Sequence, residues 1–445
     1  MLIPGAFAYI CLYIYILEVT FFRVLFGMTA DPLTSVVPDT SSDVQAFYPP
    51  KQSALIVRLM QSISYPLARV LYKFRISVSE SDVGKVRQID DSRLVFVCNH
   101  PTLEDGISVF VLSARLGQML HYIVARETFK GWMGWLIQRL GCYSIRRGMG
   151  DRTSISQTLS LLKEPKCRLV IFPEGGCSYQ NDTIMSFRSG AIQMPMSVLA
   201  QLAKKTPEAV PDMYVVPLSL KYRYVQSVHH VIEQILSRLE THLKLPAPNS
   251  QSGDAAMSDY QRLRRIAHQV ILQIEDEADI ADATGLDWNE RIDRLKNAFI
   301  EKCESALQIA PNLNLPIRER VYKVQATLEE IATGEQLERA VPKGYLWDSL
   351  YWDTVRLLNF DAIYDGYVAE SPTPERFLDT LTRLEREVFH IEHAQPKAPR
   401  RACFHIGDPI NLKDYLADYK RDRTGTVDLL AERLRTLMQE NLDRC

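Results

Sequence analysis

The sequence predicts an α/β protein: a mixed, mostly parallel sheet flanked by helices, with an N-terminal membrane-associating helix and a large all-helical insertion. Three observations predict it. From 94 to 225, short apolar runs alternate with stretches of helical periodicity, the pattern of strands joined by crossover helices. From 226 to 398 helical patterns dominate. A strand-like run, ACFHIGDPINL, then returns at 402–412 ahead of a last helical pattern at about 425–442. A single strand after so long a helical block more naturally rejoins the earlier sheet than founds a domain of its own.

Leu2 to Leu17 (LIPGAFAYICLYIYIL) carry no charge, and Glu18 and Arg23 interrupt an apolar stretch that continues to Met28. The uncharged part falls short of the ~20 residues of a spanning helix. Residues 1–28 therefore read as membrane-associating, spanning with two tolerated charges or lying in the interface. No basic region precedes them, which disfavours a cleaved signal peptide. Residues 29–52, with Pro32, Pro38, Pro49 and Pro50 among Ser, Thr and Asp, read as a linker.

The α/β core is placed at 53–225. Residues 53–76 show helical spacing with several basic residues, suited to packing or to anionic lipid, and Pro66 is expected to kink or divide this helix. Strands are expected at LVFVC (94–98), HYIV (121–124), CYSI (142–145), RLVIF (168–172) and YVVPLSL (214–220), with helices around 102–117, 128–140, 153–163 and 189–205. Residues 226–398 form the helical insertion, in which no repeat period supports a solenoid. Residues 399–445 form the closing strand and helix of the core.

With 445 residues, 46% hydrophobic and 24% charged, the chain is long enough for a large core and is not disordered overall. A net charge of -2 carries no global nucleic-acid signature. The 8 cysteines contain no Cys-x-x-Cys pair and several sit in apolar runs, so they read as reduced cytosolic thiols, with no metal site.

Two segments carry chemistry. The first is Asn99-His100-Pro101-Thr102-Leu103-Glu104-Asp105. On one continuous helix His100 and Asp105 would point ~140° apart. Pro101 resolves this, because proline favours the first helical position and pushes the residue before it out of the helix. His100 then sits in the turn after strand 94–98, and Asp105, one turn into the helix, reaches back. The aspartate can hold one imidazole nitrogen and leave the other as a general base, the orienting logic of a catalytic triad without its serine. The plain alternative is a helix-capping turn with a satisfied histidine.

The second is Phe172-Pro173-Glu174-Gly175-Gly176, followed by Phe187-Arg188-Ser189-Gly190-Ala191. Gly175 and Gly176 let backbone amides approach a ligand and form an anion-binding concavity. The plain alternative is a tight turn with a solvated glutamate. No Gly-x-Ser-x-Gly elbow surrounds Ser178 or Cys177, which disfavours a serine hydrolase.

Jointly these segments resemble the ordered blocks of the glycerolipid acyltransferase family, which contains the lysophosphatidate and glycerol-3-phosphate acyltransferases. Asn99–Asp105 is similar to the first block, Gly141-Cys142-Tyr143-Ser144-Ile145-Arg146-Arg147 to the second, Phe172–Gly175 with Phe187–Ala191 to the third, and Val216-Pro217-Leu218 to the fourth. The resemblance covers about 54–225, and Ile406-Gly407-Asp408-Pro409-Ile410 is similar to the family's closing strand. It does not reach 226–398. Two positions depart. Arg146 stands where the second block usually has Asp. Gly176-Cys177-Ser178 stands where the third usually has Thr-Arg-Ser, which removes an arginine expected to hold the acceptor's phosphate. Arg147 remains, and Arg188 or Arg146 can compensate.

The resemblance implies acyl transfer from a thioester donor, acyl-CoA or acyl-carrier protein, to a hydroxyl of a lysophospholipid or glycerol phosphate, foremost 1-acylglycerol-3-phosphate, in phospholipid biosynthesis. It implies His100 as base, Asp105 as its partner, Glu174, Gly175 and Gly176 at the acceptor, and Arg147 with Arg188 at a phosphate. No cofactor beyond the donor is expected. The partners are a membrane lipid acceptor, the donor and the membrane surface, without nucleic acid, on the cytoplasmic face. Between 126 and 152, Arg126, Lys130, Arg139, Arg146, Arg147 and Arg152 outnumber Glu127 and Asp151, which suits phosphate or anionic headgroups and equally a solvated face. The altered third block motivates a non-phosphorylated lipid acceptor as the alternative; a membrane-bound interaction protein with a degenerate site is a further one.

Overall fold

The fold is seen in a computed structural model, which describes residues 47–444 apart from 149, 247–256, 281–284, 333–346, 362 and 393. Residues 1–28, expected to associate with a membrane, and most of the linker lie outside the described residues.

Among the described residues eight strands form one sheet: β1 (Phe74–Ser77), β2 (Arg93–Cys98), β3 (His121–Ala125), β4 (Cys142–Ile145), β5 (Arg168–Ile171), β6 (Met213–Tyr224), β7 (Arg400–Ile406) and the short β8 (Ile410–Asn411). Their order is β1-β7-β6-β2-β5-β3-β4, with β8 against β6. Only β7 and β8 run antiparallel to β6; the other pairings are parallel. The expected mostly parallel sheet with flanking helices is thus present. β7 lies between β1 and β6.

β2 is central and buried from Leu94 to Cys98, which is why it reads as an unbroken apolar run rather than an alternating one. The two-residue period still sorts its side chains. Val95 and Val97 join a core with α5 (Arg152–Lys163), α6 (Gly190–Lys205) and α15 (Arg423–Arg444). Leu94, Phe96 and Cys98 join another, with α1 (Ala54–Leu71), α2 (Glu80–Gln88) and α3 (Asp105–Leu116). The remaining core helices are α4 (Gly131–Arg139) and α14 (Leu416–Arg421).

The helix expected over 53–76 is shorter than its apolar spacing suggests. It ends at Leu71, Lys73 adopts a φ of 51°, and Phe74–Ser77 becomes edge strand β1. Pro66 does not divide α1, which runs unbroken. Pro66 and Ser62 are both exposed, so the carbonyl of Ser62 that the proline cannot bond is open to water. α1 is also turned inside out. It buries Val57, Gln61, Ser64 and Ala68 and exposes Leu55, Leu59, Ile63, Tyr65, Leu67 and Val70. Gln61 is satisfied inside, donating to Ser113 Oγ at 2.9 Å and Gln118 O at 2.7 Å. Among the described residues no helix is long and apolar enough to cross a membrane.

Between β6 and β7 the helices α7 (His229–His242), α8 (Asp259–Glu277), α9 (Trp288–Ala306), α10 (Ile317–Ala332), α11 (Trp347–Phe360), α12 (Tyr367–Glu370) and α13 (Pro374–Val388) share a hydrophobic core of their own.

Candidate active site

The carboxyl ends of the parallel strands carry the functional turns, the usual place for a site in an open α/β sheet. After β2, Asn99 bridges to β6: its Nδ2 donates to Leu220 O at 2.9 Å, and Leu220 N donates to its Oδ1 at 2.7 Å. This fixes where the next residue, His100, leaves the sheet.

His100 Nδ1 lies 2.8 Å from Asp105 Oδ2. The route differs from the sequence expectation. Pro101 to Glu104 form a turn, and Asp105 is the first residue of α3 rather than one turn inside it. The turn tightens because Asp105 folds back on it. Oδ2 also accepts from Thr102 N at 2.9 Å, and Oδ1 accepts from Thr102 Oγ1 at 2.7 Å and from the Tyr222 hydroxyl at 2.9 Å. A carboxylate with 0% exposure thus has four donors, as a buried charge requires. Ser108 Oγ, 2.7 Å from the Tyr222 oxygen, donates to it. Phe172 packs its ring 4.6 Å from the imidazole. With Nδ1 committed to Asp105, Nε2 is the nitrogen left to move a proton.

The second turn lies against the first. Gly175 takes a φ of 74°, and its N–H bonds to Phe172 O at 3.2 Å. Glu174 Oε1 accepts from His100 N at 3.3 Å, and Ser178 N donates to His100 O at 2.8 Å. Burial pushes the Glu174 carboxyl up to about 7, against the opposing pull of His100 and Arg318. Its Oε2 is buried with no hydrogen-bond partner among the described residues. Glu174 can therefore hold a proton near neutrality and offer it to a ligand oxygen.

The arginines stand on the same edge. Arg188 N bonds to Pro173 O at 2.8 Å, and its guanidinium lies over Gly175, where any Cβ would overlap it. Arg147 pairs with Glu127. Arg147 and Arg188 both pack on the ring of Tyr322, at 5.1 Å and 5.5 Å. The structure thus joins His100, Asp105 and Glu174 directly, places Gly175, Gly176 and Arg188 beside them, and links Arg147 through Tyr322.

Sequence reasoning missed Tyr222, Thr102 and the share of the insertion. Thr102 was inside the quoted segment, and a hydroxyl three residues before Asp105 is a legible local partner. Tyr222 and α10 carry no local signal. Arg318 on α10 donates to Gly176 O at 3.0 Å and Cys177 O at 3.4 Å while bonding Asp361 Oδ2 at 2.6 Å. A Cβ at Gly176 would overlap the Tyr322 hydroxyl, and one at Gly148 the Tyr322 backbone. Arg383 of α13 donates to Ser178 O at 2.6 Å. The glycine turns are therefore roofed by the insertion. Burial raises the Cys177 thiol well above its usual value, which opposes an acyl-accepting thiolate there. Among the described residues no cluster of three His, Cys, Asp or Glu could hold a metal ion.

Residues 77–221 match the family model described as Acyltransferase, that of glycerolipid acyltransferases such as the lysophosphatidate acyltransferases. Over this segment the chain is similar to that family. The segment contains His100, Asp105, Arg147, Glu174 and Arg188, and it ends just before Tyr222 and the helical insertion. No curated protein matches the chain. The match supports acyl transfer to a lipid-type acceptor as the general chemistry.

Proposed function

We propose that the protein is an O-acyltransferase of phospholipid biosynthesis. It moves a fatty acyl chain from acyl-CoA or acyl-carrier protein to a lipid hydroxyl, with 1-acylglycerol-3-phosphate as the reference acceptor. The observation that carries this reading is the His100–Asp105 pair at 2.8 Å on a strand-end turn in contact with Glu174. His100 Nε2 takes the proton of the acceptor hydroxyl as its oxygen attacks the thioester carbonyl. The C–S bond then breaks, and the imidazolium returns the proton to the departing thiolate. Asp105 keeps the proton on Nδ1 and stabilises the imidazolium between the two steps. Glu174 and the adjacent backbone orient the acceptor.

A second reading, an acceptor without phosphate, is favoured by one observation: Arg126, Arg146, Arg147 and Arg188 each already face a glutamate.

The acceptor is drawn from a membrane, on its cytoplasmic face. The exposed apolar side of α1 supports the membrane contact, together with Trp132 and Trp135 of α4, 48% and 52% exposed. The two helices adjoin, since Lys51 N bonds to Gln138 O and Ser53 N to Arg139 O. Indole rings and leucines beside Arg58, Arg69 and Arg139 suit the headgroup region.

His100→Ala tests the mechanism, in an assay of labelled acyl-CoA with lysolipid acceptors. Loss of a positioned general base costs about 10²–10⁴-fold in rate. Full activity in the purified variant would overturn the reading.

A further inference from the structure

Three neighbouring strands deliver an arginine each to one helix of the insertion. Arg126 follows β3 and Arg146 follows β4, while Arg188 is tied to Pro173 at the end of β5. In the sheet these strands are adjacent, in the order β5-β3-β4. α10 meets each arginine with a glutamate. Glu319 Oε1 is 2.7 Å from Arg188 Nε, Glu329 Oε1 is 2.7 Å from Arg126 Nη2, and Glu330 Oε1 is 3.0 Å from Arg146 Nη2. Glu319 and Glu330 fall within ~20° of one line along the helix and ~16 Å apart, enough to cross three strands spaced ~4.8 Å.

α10 is a fixed wall rather than a loose cover. Val321, Tyr322, Val324, Ala326 and Leu328 are buried in the insertion or against the core turns. Arg320 pairs with buried Glu304 at 2.6 Å, and Arg318 is held by Asp361 and two backbone carbonyls. Swinging the helix away would break all of these together.

We propose that Glu319, Glu329 and Glu330 are specificity-determining residues: they cancel the positive charge on the acceptor side, so the site takes a lipid acceptor with an uncharged, phosphate-free headgroup. The proposal rests on the second reading above, acyl transfer to an acceptor without phosphate, and replaces 1-acylglycerol-3-phosphate as the preferred acceptor; it takes Arg147 and Arg188 to face that acceptor. A phosphate entering here would shed its water next to carboxylates that already face the guanidinium groups, and mutual repulsion would oppose it. An uncharged hydroxyl headgroup meets no such opposition. Cys177, at the position where the family pattern has arginine, supplies no cation either.

The test compares full-length wild type with Glu319→Gln and with Glu319→Gln/Glu329→Gln/Glu330→Gln. Glu319 is a partly exposed side chain at 29%, so the single variant keeps the wall in place. Two measurements are made: kcat/KM for 1-monoacylglycerol against 1-acylglycerol-3-phosphate with acyl-CoA, and equilibrium binding of glycerol 3-phosphate by calorimetry. Wild type is expected to prefer the monoacylglycerol and to show no saturable glycerol 3-phosphate binding. The variants are expected to move the ratio toward the phosphorylated acceptor by about tenfold, through KM, and to gain glycerol 3-phosphate binding. Saturable binding by wild type, or variants that change neither the ratio nor the binding, would overturn the proposal. If wild type acylates neither acceptor, the acyltransfer reading fails by itself, and the binding comparison still decides the role of the glutamates.

Discussion

At the scale of single residues, the proposed reaction centre depends on how Asp105 is held. Its four donors come from two parts of the chain: the turn that it closes, and Tyr222, 117 residues away. In the proposed mechanism Tyr222 is a positioning residue. Tyr222→Phe removes one hydrogen bond to a buried charge, a loss of about 1.5–3 kcal/mol in interaction. The expected result is a kcat reduced about tenfold or more with KM for the acceptor nearly unchanged; an equal fall in kcat/KM through KM alone would contradict the role. Glu174 leaves a mark on stability instead. Its carboxyl titrates at about 7 in the fold against an ordinary 4.5, so the folded chain binds that proton more tightly than the unfolded one. The stabilisation is complete below the unfolded value and disappears as pH rises through the folded one. Glu174→Gln should therefore flatten the fall in thermal midpoint between about pH 5 and about pH 8, and parallel curves for the two proteins would show that the carboxyl is not held this way. His100, Asp105 and Glu174 could be picked from the sequence because strand ends and Pro101 placed them in turns. Tyr222 could not, because its partner is set by the pairing of β6 with β2 and not by anything near it in the chain.

At the scale of elements, α1 carries the most direct test. Its buried stripe is thin and partly polar, and its wide apolar face is open. Leu55→Ser with Leu59→Ser should weaken binding to phosphatidylglycerol-containing vesicles several-fold while leaving the melting temperature unchanged, since both side chains are exposed, at 80% and 60%. A lowered melting temperature with unchanged vesicle binding would assign these leucines to packing. Gln61→Ala should behave oppositely, destabilising by about 1–3 kcal/mol because the buried hydroxyl of Ser113 and carbonyl of Gln118 lose their donor. The sequence pattern found this helix but not its orientation, since periodicity reports that one face differs from the other and not which of them is covered. It also ran the helix through β1, whose four residues in FRIS are too few to show a strand period.

At the scale of the whole molecule, the mostly parallel sheet was readable because each strand from β2 to β5 is a compact apolar run followed by its crossover helix. What could not be read is that the insertion roofs the glycine turns: ion pairs such as Arg146–Glu330 join segments 184 residues apart, and no local rule links them. The sheet itself depends on the chain's last tenth. β7 pairs with β1 through Phe74–Arg400 to Ser77–Cys403 and with β6 through Leu218–Ile406 to Tyr224–Arg400. A chain stopped at residue 398 should fail to unfold cooperatively by calorimetry, and a sharp transition near the full-length temperature would show that β7 is dispensable. This arrangement also sets a timetable for the ribosome. β1 is made early, yet the only strand it pairs with in the described sheet emerges after every helix of the insertion. At about 5–20 residues per second, the nascent core must wait roughly ten seconds or more with one flank unzipped while the insertion, with a core of its own, is free to fold first. The roof is then built before the wall beneath it is finished, and a pause or premature stop in that interval would leave an exposed sheet edge, open to pairing with the same edge on a neighbouring chain.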